Sequence, residues 1–134
     1  MKTNDLSIIV LAAGKGTRMK SSKPKVLHQI LGKPMLYYIL KNCHELNPKN
    51  IFVVVGYEAG LVKNFLKNNF SQAIPVLQKN QNGTAHAVSI TEKFKDKMGS
   101  NVMVLAGDCP LLTGKTLKGL FEKKTSGDST AALI

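Results

Sequence analysis

The sequence predicts an α/β fold, a Rossmann-like parallel sheet of alternating strands and helices. Three observations carry this expectation. Short apolar runs rich in β-branched residues recur along the chain. Between them lie stripes of apolar residues at helical spacing. The first run ends in a glycine-rich basic loop, as it does where a buried strand hands over to an anion-binding turn.

Each element has its own signal. Leu6 to Ala12 is continuously apolar, the pattern of a strand covered on both faces. Asp5 sits directly against this run and only Lys2 is basic before it, so it reads as a core strand rather than a secretory leader. Pro34 suits the first position of a helix whose apolar stripe is Leu36, Ile39, Leu40 and Cys43. Ile51 to Val55 is a second strand. Leu61, Val62, Phe65 and Leu66 mark a second helix, and Ile74 to Leu77 a short third strand. Thr84 to Phe94 reads as a third helix with Ala87, Val88, Thr91 and Phe94 facing inward. Val102 to Ala106 is a fourth strand, Leu117, Leu120 and Phe121 mark a fourth helix, and Thr130 to Ile134 is a fifth strand. The run "AALI" ends without a turn or polar tail, which is expected of a chain cut within a larger domain.

Strict alternation of strand and helix implies right-handed crossovers and helices on both faces. Ligands of such sheets bind beyond the carboxyl ends of the strands, where the strand order reverses. The loops after the first and fourth strands are the candidates, the second of them carrying "GDCP" from Gly107 to Pro110.

Composition narrows the ligand. The 134 residues suit one domain, and 43% hydrophobic with 20% charged residues is a globular balance. Cys43 and Cys109 form no disulfide framework, which points to a reducing compartment, and the expected location is cytoplasmic. No apolar run approaches the ~20 residues of a membrane helix, so no membrane role is expected. The net charge is +11, and Leu6 to His44 holds seven Lys and Arg without one carboxylate. Such a field implies an anionic partner. Aromatic residues make up 6% and none lies in the basic loop, so nucleic acid, which calls for stacking platforms, is disfavoured.

The motifs separate the remaining classes. Gly14-Lys15-Gly16 opens like a dinucleotide fingerprint, but Met19 replaces the third glycine and no acid follows before Glu45. Gly114-Lys115-Thr116 resembles the end of a P-loop, yet Cys109 stands where the first glycine belongs, so it reads as a loop-to-helix junction. The opening loop fits a phosphate chain directly. Its glycines let backbone N–H groups approach, Arg18 offers a planar fork, and Lys15 and Lys25 add point charges. Asp108 follows a buried strand, where one carboxylate with phosphate oxygens would hold Mg2+. In "QKNQNGTAHA", Gln78 to Ala87, glutamine amides suit the edge of a nucleobase, and Thr84 is alternatively a plain helix cap. His28, His44 and His86 have no metal-ligand spacing, and the methionines read as core filler.

Together these segments resemble the sugar-1-phosphate nucleotidylyltransferases. The resemblance rests on "LAAGKGTRM", "PKVLH", "QNGTAHA" and "GDCPLL" in order between Leu11 and Leu112. Within that group they are most similar to the bacterial bifunctional enzymes that couple N-acetylglucosamine-1-phosphate uridylyl transfer to glucosamine-1-phosphate acetylation. The resemblance implies a nucleotide-diphospho-sugar transferase fold, truncated here. Residues 1–134 would be the nucleotide-binding half of the first domain, and a left-handed β-helix acetyltransferase domain would lie outside this chain.

It also implies roles. Leu11, Ala12, Ala13 and Gly14 would line the nucleotide. Arg18 and Lys25 would hold the phosphates and be catalytic. Gln78, Gly83 and Thr84 would contact uracil. Ala106 and Gly107 would flank the nucleotide, and Asp108 would bind Mg2+. The substrates would be UTP and N-acetylglucosamine 1-phosphate, and the product UDP-N-acetylglucosamine, a precursor for peptidoglycan and lipopolysaccharide. The full-length enzyme would be a homotrimer, and this piece alone would turn over little. Two alternatives stay open: a nucleotidylyltransferase of the same fold with another base or acceptor, and a non-catalytic nucleotide- or RNA-binding module.

Overall fold

A computed structural model describes residues 5–126. The expected fifth strand, Thr130 to Ile134, lies outside the described residues.

The first strand, β1 (Leu6–Ala12), is central and buried. Two 3-10 turns follow, at Thr17–Met19 and Lys25–Leu27. A small antiparallel pair, β2 (Gln29–Ile30) and β3 (Lys33–Pro34), then leads into α1 (Met35–Glu45). The helix therefore starts one residue after Pro34, which sits at its cap. Next come β4 (Asn50–Val55), α2 (Ala59–Asn69), β5 (Ile74–Leu77), α3 (Gly83–Ser89), a 3-10 segment at Glu92–Lys97, β6 (Asn101–Ala106) and α4 (Gly114–Ser126).

The main sheet has the order β5-β4-β1-β6, with every pair parallel. Strand order thus reverses between β1 and β6, which are direct neighbours from Leu6↔Asn101 to Leu11↔Ala106. Pro75 is accommodated because β5 is an edge strand, where a missing N–H costs no ladder bond.

Alternation along β1 feeds two cores. Leu6, Ile8, Val10 and Ala12 pack with Leu36, Ile39, Leu40 and Cys43 of α1, with Val62 and Leu66 of α2, and with Leu117 and Phe121 of α4. Ile9 and Ala13 face the other side, with Phe52, Val54, Val76 and Ala87. Helices cover both faces, as the alternating pattern requires. Burial pushes the Cys43 thiol up to about 12, so this cysteine is packing rather than chemistry.

Two further expectations are corrected, and one element lies outside them. The third helix does not run unbroken to Phe94: it leaves α geometry after Ser89. Thr91 Oγ1 donates to Val88 O at 2.6 Å and Thr91 N donates to the same carbonyl at 3.0 Å, which tightens the chain into i→i+3 bonding. Met35 and Met103 are core residues, but Met19 is exposed on its turn. The β2–β3 hairpin carries no strong sequence signal. Its turn places Leu31 and Gly32 at φ 49° and 79°, as a primed turn demands, and leucine at the first of these positions disguises it.

Candidate functional site

The three strand-end loops converge at the carboxyl edge of the sheet. The β1 loop begins at Ala13, whose carbonyl accepts Tyr57 N at 3.1 Å and Gln81 Nε2 at 2.6 Å. Gly56, after β4, is needed for this approach: a Cβ there would lie 3.0 Å from Ala13 Cβ and 3.2 Å from Gln78 O. The β6 loop begins at Gly107, whose N–H donates to Leu11 O at 2.8 Å. Leu11, Thr84, Ala106 and Asp108 line one end of a cavity of about 1050 Å³. Its other end, along β6 and α4 to Asn101 and Lys124, is largely apolar and remote from the polar loops.

The basic loop is folded back under its own glycine. Gly16 has φ +65°, and a Cβ on it would lie 2.7 Å from Lys25 Cβ and 3.2 Å from Lys25 Cγ. The aliphatic stem of Lys25 therefore runs beneath Gly16, and its ammonium emerges at the sheet edge. There Lys25 Nζ lies 2.6 Å from Asp108 Oδ2. Two residues 83 positions apart become one ion pair because β1 and β6 are neighbours. Among the described residues Asp108 Oδ1 makes only a long contact, at 4.0 Å with Cys109 Sγ.

The remaining expected residues are placed as follows. Ala12, Ala13 and Gly107 are buried at the strand ends, while Gly14 and Ala106 are exposed beside them. Lys15 Nζ stands 5.3 Å from the Tyr57 ring centroid, a cation–π contact. Arg18 is exposed on the Thr17–Met19 turn, and no ion pair holds it among the described residues. Gln78 is buried at the end of β5, its Nε2 3.4 Å from Gly83 O and 3.0 Å from His86 Nδ1. Gly83 has φ +90°, a conformation that glycine reaches without strain. Thr84 lies inside the first turn of α3 and is not its cap; that position is Asn82, without a side-chain bond. The loop-to-helix reading of Gly114 holds, since Thr113 Oγ1 accepts Thr116 N at 3.2 Å in an N-cap bond.

Sequence reasoning missed Gly56, Tyr57 and the roles that Gln81 and His86 take. Gln81 and His86 lie inside a segment already singled out, and their partners are set by tertiary contacts. Gly56, directly after a strand, was the one legible signal.

One carboxylate is not a preformed metal cage. Among the described residues no three His, Cys, Asp or Glu groups cluster for a metal. A single hard oxygen donor with one oxygen free nonetheless fits Mg2+, which takes most of its ligands from phosphate and water.

A parallel sheet with a 3-2-1-4 strand sequence and a basic glycine loop at its switch point defines a nucleotide-binding α/β domain. The chain belongs to the MobA-like NTP transferase domain family, which it matches over residues 8–134. Among curated proteins it is 43% identical over 127 residues to the bifunctional protein GlmU of Clostridium botulinum (strain 657 / Type Ba4). That match covers 94% of this chain but 27% of the relative, so the chain spans about a quarter of the relative's length. Two solved structures share the fold. HddC from Yersinia pseudotuberculosis complexed with GMP-PN is 25% identical at TM-score 0.73, over 91% of this chain and 55% of that one. UDP-glucose pyrophosphorylase from Acinetobacter baumanii is 19% identical at TM-score 0.75, over 92% and 53%. Among the described residues no helix is long and apolar enough to cross a membrane.

Proposed function

We propose that this chain is the nucleotide-binding part of a sugar-1-phosphate uridylyltransferase, which forms UDP-N-acetylglucosamine and pyrophosphate from UTP and N-acetylglucosamine 1-phosphate. The observation that carries the reading is the Lys25–Asp108 pair at the switch point, under a glycine loop rich in cations. The 43% identity to GlmU supports the choice of substrates. Glucosamine-1-phosphate acetylation and trimer formation belong, on this reading, to parts of the protein outside this chain.

The reaction needs no covalent enzyme intermediate. A phosphate oxygen of the sugar phosphate attacks the α-phosphorus of UTP, and the bond to the β-phosphate oxygen breaks, releasing pyrophosphate. The barrier is set by bringing two anions together, so positioning and charge neutralisation do the chemistry. Leu11 to Gly14 present backbone to the nucleotide. Arg18 and Lys25 neutralise phosphate oxygens and the charge that builds on the transferring group. Gln78, Gly83 and Thr84 receive the base, with Ala106 and Gly107 flanking the nucleotide. Asp108 would hold Mg2+, which when bound supplies positive charge between the phosphates. Lys25 is the counter-ion of Asp108. With substrate bound, Lys25 would turn to phosphate and Asp108 would be the residue left to hold Mg2+.

A nucleotide panel tests this. Thermal shifts with UTP, CTP, GTP and dTTP, each with and without Mg2+, should show UTP stabilising most and Mg2+ adding to it. Asp108→Ala should remove the added part. Base-indifferent stabilisation that collapses with salt and ignores Asp108→Ala would instead mark a general polyanion binder.

A further inference from the structure

Gln78 is 4% exposed, and the orientation of its amide is decided by its neighbours. Its Nε2 faces Gly83 O at 3.4 Å and His86 Nδ1 at 3.0 Å. A carbonyl only accepts, so the end of the amide beside Gly83 O is the NH2 group. That NH2 has two hydrogens, and the second meets His86 Nδ1. In the neutral tautomer with its ring hydrogen on Nε2, Nδ1 is the acceptor for it. Among the described residues Gln78 Oε1 makes no hydrogen bond, and it is not one of the sealed, unpartnered polar atoms. Both donors are consumed by the protein and one acceptor is left.

From this geometry we infer that His86 is a positioning residue that sets base selectivity. Its Nδ1 holds the Gln78 amide so that only Oε1 is offered to a bound base. The inference rests on the proposed role of Gln78 beside the base. A lone acceptor pairs with a ring N–H, the group that uracil carries at N3. Cytosine has a bare acceptor there, and two acceptors facing each other leave both unpaired in a water-poor site. The 3.4 Å bond to Gly83 O is the longer and weaker of the two, so without His86 the group turns more readily and offers its NH2 instead. The selectivity lies in an orientation, not in a contact between His86 and the nucleotide.

The test uses the full 134-residue chain with Mg2+. Dissociation constants for UTP and CTP are measured by NMR titration, which reads weak binding, and the CTP/UTP ratio is the observable. The ratio cancels any shared loss from a less stable fold. The unaltered chain should prefer UTP by about tenfold or more, as expected for one hydrogen bond made against one forbidden. Gln78→Ala and His86→Ala should each bring the ratio to near one. His86→Asn, whose Oδ1 keeps an acceptor near the Nδ1 position, should restore most of the preference. If Gln78→Ala loses the preference while His86→Ala keeps it, the role of His86 is overturned and that of Gln78 stands. If Ala and Asn at 86 behave alike, an acceptor at that position is not what orients the amide. If the unaltered chain shows no preference, or Gln78→Ala retains it, Gln78 does not read the base and both ideas fall.

Discussion

His44 shows how far one side chain's surroundings matter. It stacks on Phe70, with centroids 5.5 Å apart and planes 11° from parallel, and among the described residues its buried Nε2 has no partner. Burial lowers its pKa below the ordinary 6.5. The unfolded chain takes up this proton more readily than the folded one, so stability rises with pH across that interval. The contribution is complete above about 6.5 and is lost as pH falls toward the lower, folded value. His44→Phe keeps a ring on Phe70 and removes the titration. Urea unfolding at pH 8 and pH 5.5 should show the unaltered chain losing more stability than this variant. Partial exposure keeps the difference well under the ~1.4 kcal/mol of one full pKa unit. Equal losses in both chains would show that His44 is not the group responsible. Asp5 moves in the opposite chemical sense: hydrogen bonds from the Ser100 side chain and backbone favour its charged form and lower its pKa. The sequence marked Asp5 only as an argument against a leader. Its role at the start of β6 depends on a partner 95 residues away.

At the scale of elements, β1 and β6 meet closely at their carboxyl ends. A Cβ on Gly107 would stand 2.9 Å from Leu11 O and 3.1 Å from Val26 Cγ1. The carbonyl belongs to the ladder and cannot yield. Gly107→Ala should therefore cost ~1–3 kcal/mol, as other overpacking changes do. Gly60, in the first turn of α2, meets nothing within 4 Å. Gly60→Ala should gain roughly 0.4–1 kcal/mol by restricting the unfolded chain and favouring helix. The two variants should thus shift the urea midpoint in opposite directions, and a neutral Gly107→Ala would show that the junction is looser than drawn. Four of the expected strands and all four expected helices were legible because apolar spacing tracks burial. The break after Ser89 was not, because Thr91 belongs to the inward stripe and only its hydroxyl geometry ends the helix. The hairpin at Leu31-Gly32 was missed for the parallel reason that its turn residue is atypical.

For the whole molecule, net charge is the dominant global quantity. A charge of +11 on 134 residues is self-repulsive in the folded state, and salt screens it. Raising NaCl from about 20 to about 300 mM shortens the screening length from roughly 20 Å to roughly 6 Å. Thermal stability without ligand should rise over that range, and on the proposed function affinity for UTP should fall, because the same cations that repel one another would attract the triphosphate. Stability that fell with salt would mean that attractive pairs such as Lys25–Asp108 outweigh the repulsion. The exposed side of β6 is a second global feature. Val102 and Val104 remain open while Met103 and Leu105 are core, so β6 is an edge among the described residues.

By itself the sequence determined what is local and periodic. Apolar spacing set the alternating elements, and the glycine-rich cationic loop and the Gly107-Asp108 turn raised the expectation of a phosphate ligand. Both are written in consecutive residues, where steric and hydrophobic preferences act directly. The tertiary structure decided what depends on distant neighbours. It made Lys25 and Asp108 one ion pair, ran the lysine stem under Gly16, clamped the Ala13 carbonyl between Tyr57 and Gln81, and turned the Gln78 amide against His86. Those arrangements follow from parallel strands meeting across long crossovers. Spacing along the chain then no longer measures distance in space, and only the register of the sheet says which side chains meet.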